Sequence, residues 1–191
     1  MVKNRRILVI GGSAGCLKVL LEVLPNLELG LPFPIVIIVH RKPHPDSVLT
    51  KLLANSTVME VIEVEDKETI MPGCIYIVPP DYHILFENET LVSLDFSEKI
   101  NFSRPSIDIT FRSAAEIYKE NTIALLLSGA NADGVKGLQQ IKNYRGLVVI
   151  QDPITAEIDY MPKQAALNVA VDFILKPEEI AAFINGLSTY R

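Results

Sequence analysis

Three side chains suited to acyl-transfer chemistry stand just beyond apolar runs of this chain. Ser13 follows Ile7–Ile10, His40 follows Pro34–Val39, and Asp133 comes shortly after Ile123–Leu127. A serine hydroxyl attacks a carbonyl only when a neighbouring base takes its proton. Imidazole is the usual base, and a carboxylate holds its ring and tautomer. Ser13 lies in Gly11-Gly12-Ser13-Ala14-Gly15, which fits the G-x-S-x-G turn that lifts a serine between a strand and a helix. A helix starting just after Ser13 would aim unpaired backbone N–H groups at the same spot and favour negative charge there.

Each residue also has a plainer reading. The glycine loop can hold a nucleotide phosphate, but Ser13 stands where G-x-G-x-x-G needs its second glycine. The acidic ribose partner is missing as well, because the second strand ends in His40-Arg41-Lys42. His40 alone could be an ordinary loop histidine. His40 and His44 have the i, i+4 spacing of a zinc pair on a helix. Pro43 and Pro45 deny that stretch a regular helix, so no metal site is expected and His44 reads as an exposed loop residue. His83 either lines a cleft or starts a hairpin strand. Residues Gly129 to Gln140 partly mimic a calcium loop. They lack a carboxylate at the first and twelfth positions and follow a strand, so calcium is rejected. Asp133 can simply cap the helix after it.

The elements that must position these residues follow from the hydrophobic pattern. Strands are expected at Ile7–Ile10, Pro34–Val39, Val58–Val64, Cys74–Val78, Ile123–Leu127, Leu147–Ile150 and Asp172–Leu175. Several are apolar throughout, as strands buried on both faces of a parallel sheet are. Helices are expected where Leu17, Leu20, Leu21 and Leu24 recur, at Asp46–Ala54, from a Ser106 cap to Tyr118, and at Asp133–Ile141, Pro162–Leu167 and Pro177–Gly186. Short strands near Ile84–Phe86 and Leu91–Leu94 form a hairpin around Glu87-Asn88-Glu89. The alternation predicts one α/β domain over residues 1–191, doubly wound, with a mainly parallel sheet and an antiparallel hairpin insertion. In such sheets ligands bind beyond the carboxyl ends of the strands, which is where Ser13, His40 and Asp133 fall.

Composition bounds the rest. The chain has 191 residues, 49% of them hydrophobic, and a net charge of −5. That is a globular composition, and its acidity argues against sequence-blind nucleic-acid binding. Two cysteines without motif spacing suit free thiols in a reducing cytoplasm. No apolar run is long enough to cross a bilayer, and the basic start leads into a strand with no signal-peptide core, so the chain is expected to be cytoplasmic and not membrane-inserted.

At these residues the chain resembles the catalytic domain of chemotaxis-type protein-glutamate methylesterases, the CheB family. The resemblance runs through IGGSAG at Ile10–Gly15, VHRKP at Val39–Pro43, MPGCIYIVPPDYH at Met71–His83 and RPSIDITFRSAA at Arg104–Ala115. It continues through LLSGANADGVKGL at Leu126–Leu138, QDPITAEIDYMPKQAAL at Gln151–Leu167 and VDFIL at Val171–Leu175. It implies a serine hydrolase that demethylates glutamate methyl esters on chemoreceptors or similar signalling proteins, and in many members deamidates glutamines. It carries the triad onto Ser13, His40 and Asp133 and requires no cofactor. Backbone N–H groups at Ala14 and Ala130 would form the oxyanion hole. Arg104 is a candidate for holding substrate, with a surface salt bridge as its alternative.

The chain departs from the family at Ala14, Gly15 and Cys16, where Thr and paired glycines are usual. It departs again at Ala130, where Met is usual, and at Ser103, where His is frequent. These departures leave a non-catalytic signalling scaffold as one rival, and the Gly11–Gly15 loop leaves a nucleotide-binding domain as another. Many relatives carry a receiver domain before the catalytic domain; here the first strand begins by Ile7, so phosphorylation control within this chain is not expected, and a separate receiver-domain protein is a candidate partner.

Overall fold

In the computed structural model, which describes residues 5–41, 48–100 and 103–188, seven parallel strands form one sheet. They are β1 (Ile7–Gly12), β2 (Ile35–Val39), β3 (Glu60–Glu63), β4 (Cys74–Ile77), β7 (Thr122–Leu126), β8 (Leu147–Gln151) and β9 (Phe173–Leu175). Their order across the sheet is β3-β4-β2-β1-β7-β8-β9. A separate antiparallel hairpin joins β5 (His83–Phe86) to β6 (Val92–Asp95), so the expected architecture is the observed one. His44 and the start of the expected Asp46–Ala54 helix lie outside the described residues.

The continuous apolar runs are explained by burial from both sides. Ile7, Val9, Val36, Ile38, Ala124 and Leu126 face helices α3 (Ile107–Tyr118), α4 (Val135–Asn143) and α5 (Tyr160–Asn168). The residues between them, Leu8, Ile10, Ile35, Ile37 and Leu125, face α1 (Cys16–Val23) and α6 (Pro177–Gly186). Alternate side chains of a strand point to opposite faces, so an apolar residue is needed at every position. The hairpin is fastened to α3. Phe86 N–H donates to Ser113 Oγ at 2.8 Å, and the Phe86 and Tyr118 rings meet edge to face. The sixth α-helix of the described residues, α2 (Val48–Ala54), packs near the β3 edge.

Two helix starts differ from expectation. α5 begins at Tyr160, two residues before Pro162, because a proline at the third helical position lacks an N–H that would be unpaired there anyway. α4 begins at Val135 behind a left-handed Gly134, and the Asp133 side chain does not cap it. That carboxylate is engaged elsewhere.

The chain leaves β1 through α1 towards β2 on one side. It returns through α3 to β7 on the other side of β1. The loops after β1 and β7 therefore diverge at the carboxyl rim, the place where open α/β sheets bind ligands. Each crossover helix starts at that rim too, so its unpaired N–H groups are available there.

Candidate active site at the carboxyl rim

Strand register brings the first two candidates together. Gly12 pairs with Val39, so Ser13 and His40 are the next residues on adjacent strands, and His40 N–H donates to Gly12 O at 3.2 Å. On the other side Ser13 N–H donates to Ser128 O at 2.9 Å. The turn needs Gly15, whose φ is +84° and whose Cβ would lie 2.6 Å from Ser128 Oγ. Gly129 is needed for closeness, because a Cβ there would meet Met161 Cε at 2.5 Å and Ser13 Cβ at 3.1 Å. Cys16, the neighbouring sulfur, is buried and free, and burial pushes its thiol up to about 12. It stays protonated at neutral pH and is no competing nucleophile.

The third candidate comes from much further along the chain. His40 Nε2 lies 2.8 Å from Asp133 Oδ2. A carboxylate oxygen accepts, so Nε2 carries the proton and Nδ1 is left with a lone pair. Nδ1 is buried and has no hydrogen-bond partner among the described residues. Ser13 Oγ, on the adjacent strand's loop, is not hydrogen-bonded to it.

Asp133 is 1% exposed and accepts from four donors. Oδ2 takes His40 and the Ile107 amide at 2.7 Å, and Oδ1 takes the Ser106 hydroxyl and the Asp108 amide, each at 3.0 Å. The carboxylate thus sits on the N-terminus of α3, where backbone N–H groups and the helix dipole favour an anion. Burial would push its pKa up. The hydrogen bond from His40, the Asp108 and Ile107 amides and the His40 charge together outweigh burial and hold it below the ordinary carboxylate value. Asp108 returns the exchange, since its Oδ1 accepts from Gly134 and Gly137 N–H at the start of α4. Its own pKa is raised, chiefly by burial and then by the adjacent Asp133 charge, against the pull of those two amides.

Ala14 and Ala130 carry the two amides that the resemblance assigns to an oxyanion hole. Ala14 and Ala130 are exposed, and neither amide is taken up by another described acceptor. Ser128, which the sequence did not single out, braces both loops. Its hydroxyl lies 2.8 Å from Ala14 O and 3.1 Å from Ile158 O and accepts from Ile158 N–H, while its amide donates to the buried Gln151. A cavity of about 470 Å³ lies at the start of α4, lined by Asn131, Ala132, Asp133, Lys136 and Gln164. A larger one of about 560 Å³, between Glu63, Asp66 and Tyr82, lies at the β3 edge and touches none of the three.

Arg104 is committed within the protein. Its guanidinium bonds Asp81 at 3.1 Å and the carbonyls of Phe96 and Ser97, and it stacks 3.8 Å over the Phe96 ring. Of the two expectations for Arg104, the intramolecular salt bridge is the one observed. His83 is fully buried at the start of β5 and lines no cleft. Among the described residues no group of three or more His, Cys, Asp or Glu side chains is arranged to hold a metal ion.

The α3 cradle was missed from sequence because Ser106 reads there only as a helix cap. The usable signal was topological: a crossover helix that enters β7 must begin at the same rim as Ser13.

Comparison with known proteins shows the family of the chain. The family model described as CheB methylesterase matches residues 8–184. A putative protein-glutamate methylesterase/protein-glutamine glutaminase of Leptospira interrogans is 42% identical over 178 residues, covering 93% of this chain and 92% of that protein. The protein-glutamate methylesterase/protein-glutamine glutaminase of Thermotoga maritima is 38% identical over 92% of this chain, which spans 52% of that relative's length. The crystal structure of the Thermotoga maritima CheB methylesterase catalytic domain superposes with a TM-score of 0.91 at 37% identity, covering 96% of this chain and 98% of that one. A chain matched over nearly its whole length in sequence and in fold belongs to the CheB methylesterase family.

Proposed function

We propose that the chain is a protein-glutamate methylesterase, with protein-glutamine glutaminase activity as the same chemistry on an amide. Its substrate would be a methylated chemoreceptor or a similar signalling protein. The observation that carries the reading is the His40 Nε2–Asp133 bond, which leaves Nδ1 free beside the turn that bears Ser13. Rotation of the Ser13 side chain closes the remaining gap, a common adjustment when substrate enters a serine hydrolase site.

Ser13 Oγ attacks the ester carbonyl as His40 Nδ1 takes its proton. The carbonyl π pair moves onto oxygen, where the Ala14 and Ala130 amides stabilise it. The C–O bond then breaks, His40 returns the proton to the leaving oxygen, and methanol departs. Water, deprotonated by the same nitrogen, opens the acyl-enzyme to free glutamate and regenerates Ser13. Asp133 stays ionised throughout and stabilises the protonated ring. With a glutamine substrate the leaving group is ammonia. The ordered His40–Asp133 pair gives no reason to prefer a nucleotide site or a scaffold.

The test is methanol release from methylated receptor helices, with and without a serine-directed phosphonate. Release should stop on labelling, and Ser13→Ala should lose roughly 10⁶-fold in kcat if the triad acts as a unit. Undiminished release by that variant would rule the reading out.

A further inference from the structure

A fully buried histidine with no part in the steps above meets the same start of α3. His83 is 0% exposed. Its Nδ1 lies 3.1 Å from the Ser106 amide nitrogen, and its Nε2 lies 3.1 Å from Glu98 O. An amide can only donate and a carbonyl can only accept, so the ring is the neutral tautomer with its proton on Nε2.

The Ser106 amide needs this partner. It belongs to the cap residue of α3, whose N–H a capping box would satisfy with a Glu or Gln three residues on. That position is Ile109, which cannot accept. His83 supplies the acceptor from another strand. Ser106 in turn gives its hydroxyl to Asp133 Oδ1, and the next two amides go to the same carboxylate. The neighbouring segments are laced together in the same direction. Asp81 N–H donates to Arg104 O at 3.1 Å, and the Arg104 guanidinium returns to Asp81. The connector before β5 therefore clamps the entry of α3, and α3 holds Asp133.

The geometry points to His83 as a positioning residue for ester hydrolysis: by taking up the Ser106 amide it fixes the donors on Asp133, and through Asp133 the plane of the His40 ring. The inference rests on the Ser13–His40–Asp133 reading. A ring held this way presents Nδ1 to Ser13 in one orientation, and loosening it slows proton transfer without altering substrate binding.

The test compares H83N with H83Q. The Asn carboxamide oxygen can stand where Nδ1 stands and keep the Ser106 amide, whereas Gln places its carboxamide one bond further out. Methanol release from methylated receptor helices gives kcat and KM, circular dichroism gives the folded fraction, and proton NMR follows the His40 Nε2–H that bonds Asp133. H83Q should lose about 10- to 100-fold in kcat at unchanged KM, the range expected when an orienting outer partner is removed. Its Nε2–H resonance should broaden or move. H83N should stay near wild type in both readouts. Wild-type kcat in folded H83Q, equal losses in the two variants, or a variant that cannot fold overturns the inference. A wild-type protein that releases no methanol overturns the esterase reading instead, and the NMR comparison still reports on His83 in that case.

Discussion

Asp133 shows how one side chain acquires its function from its surroundings. A buried carboxylate would ordinarily take up a proton, yet four donors keep this one ionised against His40. Asp133→Asn preserves the shape but presents an amide to His40 and to three N–H or O–H donors. The wrong tautomer then faces Ser13. We expect kcat to fall by about 10⁴-fold with KM little changed, measured by methanol release. Arg104, whose guanidinium is held by Asp81 and by the Phe96 and Ser97 carbonyls, should behave differently. Arg104→Gln should lower stability more than it raises KM, and urea unfolding beside a KM measurement separates the two.

At the scale of elements, α3 and α4 exchange carboxylates: Asp133 precedes α4 but sits on α3, and Asp108 lies on α3 but accepts from the start of α4. Asp108→Ala should cost about 1–2 kcal/mol, the usual worth of a lost helix-terminal acceptor, read as a lower urea midpoint. The pair also sets opposite pH dependences. Asp133 has a lowered pKa, so its contribution to stability is present above the unfolded value of about 3.9 and is lost as pH falls through the folded one. Asp108 has a raised pKa, so the native state holds its proton longer and stability falls as pH rises from the ordinary value through the raised one. Urea midpoints measured across acid pH should show both slopes, and Asp108→Asn should remove the second.

Across the whole molecule, stability depends on the two faces of one sheet. Phe111 is fully buried where α3 meets β1 and the glycine-backed start of α4, and Phe111→Ala should cost about 3–5 kcal/mol. Ile154 is 92% exposed, and Ile154→Ser should shift stability by no more than about 0.5 kcal/mol. Thermal and urea unfolding of the two variants test the contrast. Strand positions, the turn at Ser13 and the hairpin were legible in the sequence because each depends on local pattern: unbroken apolar runs, glycines at a tight bend, polar residues between short strands. His40 was legible for the same reason, standing one residue past a buried strand. The order of the strands then placed both at one rim. The start of α4, the cradle on Asp133, the lock of His83 on Ser106 and the pairing of Arg104 with Asp81 were decided only in three dimensions. Each joins residues more than twenty positions apart, and a single buried acceptor can serve either of two helix ends. Spacing along the chain carries no information about which end lies nearer in space; the packing of α3 against α4 over a common sheet face makes that choice.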